Sequence, residues 1–98
     1  MLSTPSLIAT IDVVALAFED NEIKVALWKR QSKPFQDELA LPGVIINGLM
    51  PDSSLEDALS RTMEDRLGVK DTVTHLEQVG TVGGQDRDPR GWSISTVY

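Results

Sequence analysis

A single stretch of this sequence carries a helical period, and the rest of the chain has to be arranged around it. Leu55, Leu59, Met63 and Leu67 recur every fourth residue, which lines them along one side of an α-helix. Pro51-Asp52-Ser53-Ser54 ahead of them offers a cap at Asp52 or Ser53, with acidic residues in the first turn. Gly68 closes the period as a C-terminal cap. The apolar stripe needs a sheet to lie on, and the flanking segments supply strands.

Residues 1–6 form a polar lead-in. Leu7 to Phe18 is a nearly continuous apolar, β-branched run interrupted by Thr10 and Asp12, which predicts one strand buried on both faces. Glu19-Asp20-Asn21 is a turn, and Ile23, Val25 and Leu27 then alternate with charged or small residues up to Arg30, so the opening is a β-hairpin. Ser32 to Asp37 is loop; Leu41-Pro42-Gly43 leads into a short extended piece, Val44-Ile45-Ile46; Asn47-Gly48 is a turn. Beyond the helix, His75 to Val82 is a strand, Gly83 to Gly91 a polar loop, and Trp92 to Tyr98 a strand. That last strand ends with the sequence, so the expected fold, one domain over 1–98, continues past Tyr98.

Composition removes several chemistries. With 98 residues and no cysteine, thiolate metal sites, disulfides and cysteine nucleophiles are out, and His75, the single histidine, cannot build a relay. Without a long apolar run or basic leader, the expected location is the cytoplasm, with no membrane partner. The net charge of −6 opposes a phosphate backbone, so this chain by itself is a poor nucleic-acid binder. A small anionic ligand is compatible with it, because a local pair of arginines outweighs net charge at short range.

The order hairpin, Leu-Pro-Gly loop, capped helix ending Leu67-Gly68-Val69, then strand resembles the Nudix hydrolase fold: an α/β (α+β) architecture, a mixed sheet with the box helix packed on it. The family's box reads G-x5-E-x7-R-E-U-x-E-E-x-G-U, U being aliphatic. Anchored on Leu67-Gly68-Val69, the box arginine is Arg61 and the aliphatic Met63, whereas the first glutamate of R-E-U is Thr62 and the E-E pair is Asp65 and Arg66. The earlier glutamate falls on Ser53. At about 100° per residue, positions 62, 65 and 66 share one side of the helix, which here offers a single carboxylate and a guanidinium to a hard cation. No catalytic residue and no metal is therefore expected at the box, Asp65 being the one ligand if a metal binds.

Gly80-Thr81-Val82-Gly83 and Asp86-Arg87-Asp88-Pro89-Arg90-Gly91-Trp92, with Trp28-Lys29-Arg30 and Pro34-Phe35, are similar to a Nudix branch that acts on or senses ADP-ribose. That branch holds ADP-ribose pyrophosphatases and the Nudix-related transcriptional regulators of NAD metabolism. The resemblance implies a sensor that binds an ADP-ribose-like nucleotide without hydrolysis and passes occupancy to a DNA-binding segment outside this chain. No cofactor is then expected, and a homodimer is compatible. The alternative is an Mg²⁺-dependent Nudix hydrolase, a pyrophosphatase of ADP-ribose or another nucleoside diphosphate, which would need Asp65, Glu64 or Glu38 for its metal. A structural dimerisation module is a third reading.

The expected ligand-binding residues are Arg30, Arg87, Arg90 and Trp92. Arg87 and Arg90 are planar forks suited to a pyrophosphate, the competing reading being a loop salt-bridged through Asp86 and Asp88. Arg30 is either a ligand contact or a solvated strand-end charge. Trp92, like Phe35, stacks on a base or packs in the fold. Arg66 falls in the apolar stripe and needs a partner, for which Glu38 is a candidate, or a route to water by snorkelling past a frayed helix end; Arg61 is expected to pair with Asp57 or Asp65. Glu56, Glu64 and His75 read as surface.

Overall fold

The computed structural model describes residues 6–46, 52–69 and 75–98, so the Asn47-Gly48 turn lies outside the described residues. Its central sheet is four-stranded in the order β6-β1-β8-β7. Here β1 is Ile8–Asp12, β6 Gly43–Ile45, β7 Gly80–Asp88 and β8 Gly91–Val97. β1 runs parallel to β8 and antiparallel to β6, while β7 and β8 are antiparallel neighbours, so the sheet is mixed as expected. Among the described residues two small hairpins complete the strands. One joins β2 (Leu16–Glu19) to β3 (Glu22–Val25), the other β4 (Trp28–Lys29) to β5 (Leu39–Ala40).

The single strand expected over Leu7 to Phe18 is two strands. After Asp12 the backbone donors turn to three different partners: Val13 to the Pro42 carbonyl, Val14 to Tyr98, while Ala15 accepts from Ala26. The chain thereby leaves the central sheet and enters the β2–β3 hairpin. This hairpin turns at Asp20 and Asn21, both at positive φ (52° and 62°), which suits the tight turn these residues form best. It is not buried on both faces: Leu16 opposes Val25 and Phe18 opposes Ile23, and the four sit together on one exposed face.

The second half differs from expectation too. His75 to Val79 is irregular, and β7 runs from Gly80 through the expected loop to Asp88, with a shift of register against β8 between Gly84 and Asp88. Its polar run Gln85-Asp86-Arg87-Asp88 can be strand because β7 is an edge, with one side solvated. The turn into β8 is only Pro89-Arg90, followed by Gly91 at φ 140°, which a side chain would strain.

The helix α1 (Leu55–Leu67) lies against β1 and β6. Its cap is Ser54, one or two residues later than expected. The Ser54 hydroxyl accepts the Asp57 amide at 3.1 Å, and the Asp57 carboxylate takes the Ser53 amide (3.0 Å) and hydroxyl (2.5 Å). Those Ser53 hydrogen bonds hold the Asp57 carboxyl below its ordinary pKa. At the other end Gly68, at φ 67°, directs its amide to Glu64, and Val69 directs its own to Met63. Ala58 and Leu59 close the core with Ile11, Val13 and Val44, and Met63, Leu67 and Tyr98 pack around it.

Candidate functional site

Alternation along β1 places Ile11 in the core and sends Thr10 and Asp12 to the opposite face of the sheet. Their register partners on β8 are Ser95 and Val97, so that face carries polar groups in the middle of a sheet, Ser95 buried and Thr10 and Asp12 half-buried. These groups satisfy one another: Asp12 Oδ2 accepts from Thr10 Oγ1 at 2.9 Å and from the Ser95 hydroxyl. Gly43, opposite Asp12 on β6, leaves the room, since a Cβ there would stand 2.4 Å from Asp12 Oδ1 and 2.7 Å from the Ile11 carbonyl.

Above this floor lies a cleft of about 470 Å³, lined by cations from four parts of the chain. Arg30 comes from the end of β4, Lys33 from the following loop, Arg87 and Arg90 from the β7–β8 hairpin, and Arg66 from the last turn of α1. Each guanidinium is aimed by a specific contact. Arg30 Nε donates to the Pro34 carbonyl at 2.6 Å, and Arg87 Nη1 to Ser93 Oγ at 3.2 Å. Arg90 is held by Asp88 in a bidentate pair, Nε to Oδ1 at 3.0 Å and Nη2 to Oδ2 at 2.7 Å. The Arg90 hydrogen bonds hold the Asp88 carboxyl down at about 2. The salt-bridged loop and the cleft-lining loop are thus the same structure.

Arg66 does not use Glu38. Its guanidinium lies 4.0 Å from the centroid of the Trp28 ring, and its Nε donates to the Gly43 carbonyl at 3.3 Å. Glu38 instead gives its backbone carbonyl to the Arg30 amide, closing the loop between β4 and β5. Arg61 likewise bypasses Asp57 and Asp65. It pairs with Asp52, whose side chain is 1% exposed, at 2.5 Å, and donates to the Ile45 carbonyl at 2.9 Å. The Asp52 hydrogen bond raises the Arg61 pKa above its ordinary value. Arg61 therefore ties the lead into the helix to the β6 edge.

Of the four expected ligand residues, Arg30, Arg87 and Arg90 converge on the cleft. Trp92 faces away from it, half exposed, its ring beside Gly83. Phe35 sits at the rim, where the cleft continues between Arg30 and Arg90. Sequence reasoning missed Asp12, Thr10, Ser95, Trp28 and Lys33. The one available signal was Thr10 and Asp12 themselves, two polar residues spaced to share a face inside an apolar strand.

No family model matches the chain. It is 31% identical over 94 residues to an ADPR-responsive transcriptional repressor, NtrR, of Acinetobacter baylyi, covering 96% of this chain and 36% of that protein. It is 33% identical over 79 residues to an ADP-ribose pyrophosphatase of Methanocaldococcus jannaschii, covering 81% and 44%. Among solved structures, the Nudix domain of Shewanella oneidensis NrtR, complexed with ADP-ribose, superimposes with a TM-score of 0.87 at 34% identity, over 97% of this chain and 60% of that one. The chain is a Nudix-fold domain. It spans less than half the length of the curated relatives it matches.

In this Nudix domain the box helix is built differently from a metal-binding one. Thr62 is fully buried on the sheet side, its hydroxyl donating to the Ala58 carbonyl at 2.9 Å. Asp65 is exposed, and Arg66 is stacked on Trp28. Among the described residues no three acidic or histidine side chains come together to hold a metal. A hard divalent cation needs convergent oxygen ligands, and the residues at these box positions do not fit one. Among the described residues there is also no helix long and apolar enough to cross a membrane.

Proposed function

We propose that this chain is the nucleotide-sensing module of a transcriptional regulator, binding ADP-ribose or a close analogue without hydrolysing it. The observation that carries the reading is the convergence of Arg30, Arg66, Arg87 and Arg90 on one cleft of a chain whose net charge is −6. Positive charge gathered against the overall balance marks a place for an anion, and arginine forks match the geometry of phosphate oxygens. The kinship with an ADPR-responsive repressor, and with a Nudix domain crystallised with ADP-ribose, supports that choice of anion. DNA contact would belong to another part of such a regulator, since the net charge of −6 on this chain opposes a phosphate backbone. Signalling then requires that ADP-ribose bind one arrangement of the regulator better than another.

The kinship with a pyrophosphatase favours a second reading, hydrolysis. That reaction would need oxygen ligands for Mg²⁺ at the box, where Thr62 is buried and Arg66 carries the wrong charge. Isothermal titration of ADP-ribose with millimolar-range Mg²⁺, followed to late times, separates the two. A saturating heat that returns to baseline is expected. A sustained heat that a chelator abolishes would establish turnover and overturn the sensor reading.

A further inference from the structure

We propose that the cleft binds a diphosphate without any divalent cation, and that Arg66 supplies the positive charge a bound metal would otherwise provide. The proposal rests on the same cleft as the sensor reading, but concerns how the anion is neutralised.

Among the described residues five cations line the cleft, Arg30, Lys33, Arg66, Arg87 and Arg90. The carboxylates there, among the same residues, are Asp12 and, where the cleft continues, Asp88. Asp88 is matched by Arg90, and Asp12 already takes two hydroxyl hydrogen bonds. A metal placed here would face guanidinium groups on several sides and would lack the oxygen ligands it requires. A diphosphate diester, with one negative charge on each phosphate, meets the opposite situation.

Arg66 is fitted for this by its own surroundings. It leaves the last turn of the helix, where a cation is favourable beside the negative end of the helix dipole. The Trp28 ring covers one face of its guanidinium, and the Nε bond to Gly43 fixes its orientation. With Nε committed to that bond, the two terminal nitrogens are the donors that Arg66, a residue lining the cleft, can offer an anion, a fork that lysine cannot reproduce. The Trp28 contact also places a fluorophore against the group proposed to touch the anion.

The test compares binding of ADP-ribose and of inorganic pyrophosphate to this chain, each in chelator and in millimolar Mg²⁺. The readouts are titration heat and Trp28-dominated fluorescence, with Trp92→Phe removing the second indole. Both anions are expected to bind in chelator, with no gain from Mg²⁺. Arg66→Met should weaken both by about ten- to a hundredfold, the range for losing a charge-assisted hydrogen-bonded pair, and Arg66→Lys by less. A need for Mg²⁺, or pyrophosphate failing to bind in chelator, would overturn the proposal on unsubstituted protein, whatever the variants do. Arg66→Met binding as tightly as the parent would remove Arg66 from it. If pyrophosphate binds as expected but ADP-ribose does not, the sensor reading falls and this inference stands.

Discussion

Replacing Gly43 by alanine should destabilise the fold through a steric conflict at the floor of the cleft. The added carbon would lie 2.4 Å from Asp12 Oδ1, 3.2 Å from Asp12 Cγ and 2.7 Å from the Ile11 carbonyl oxygen. The conflict is one of space, since β6 is ordinary extended backbone. Asp12 cannot swing aside cheaply, because Thr10 and Ser95 both donate to its other oxygen. The Ile11 carbonyl belongs to the central strand. Overpacking of this kind costs about 2 kcal/mol, which for a domain of this size lowers the melting temperature by roughly 8–16 °C. A double-mutant cycle with Asp12→Ala isolates the side-chain share. The double variant should recover part of the Gly43→Ala loss, the remainder being the clash with Ile11. The assay is thermal melting followed by circular dichroism. Gly43→Ala melting within about 2 °C of the parent, or strict additivity with Asp12→Ala, would refute the reasoning.

Three further outcomes are expected. Arg61→Ala removes the guanidinium that Asp52 pairs with and should cost about 1–3 kcal/mol in urea unfolding, Asp52→Asn costing less; equal small losses would place the pair among surface contacts. Thr62→Glu, which restores the box glutamate, should destabilise the protein by more than about 3 kcal/mol and gain nothing from Mg²⁺, because that side chain points into the core; a melting temperature raised by Mg²⁺ would contradict this. The Asp88–Arg90 pair makes stability pH-dependent on the acid side. Since the folded carboxyl is lowered to about 2 from an ordinary value near 3.8, its contribution is full above pH ~4 and disappears as pH falls towards 2. The stability gap between the parent and Asp88→Asn, measured by denaturant titration at several pH values, should be constant above pH ~5 and close towards pH 2.

Features that depend on neighbouring residues were legible in the sequence. The helix could be read because Leu55 to Leu67 repeat one face and Gly68 ends it, and the first hairpin because Asp20-Asn21 suits a turn with positive φ. The break after Asp12 was hidden, since Val13, Val14 and Ala15 look no different from a continuing strand, and their hydrogen-bond partners lie 11 to 84 residues away. The length of β7 was hidden because an edge strand tolerates polar residues that read as loop. At the site, the arginines of the β7–β8 hairpin were visible because they are close in sequence. The Trp28–Arg66 stack was not, because it is set by how the helix lies on the sheet, and the Asp52–Arg61 pair was not, because it joins residues nine apart, off the helical three- or four-residue spacing.

The position of β1 also governs the order in which the cleft can come into being. β1 is the second strand of the sheet, hydrogen-bonded to β6 on one side and to β8, more than 80 residues later, on the other. The helix and the local hairpins can form while the chain is being synthesised, since their contacts lie close together in sequence. The floor cannot, because Asp12 is held by Ser95. During translation Ile8–Asp12 is therefore an unsatisfied strand edge until the hairpin of β7 and β8 has left the ribosome. Loop-closure entropy makes that pairing slow, so the binding floor forms after the helix and the local hairpins.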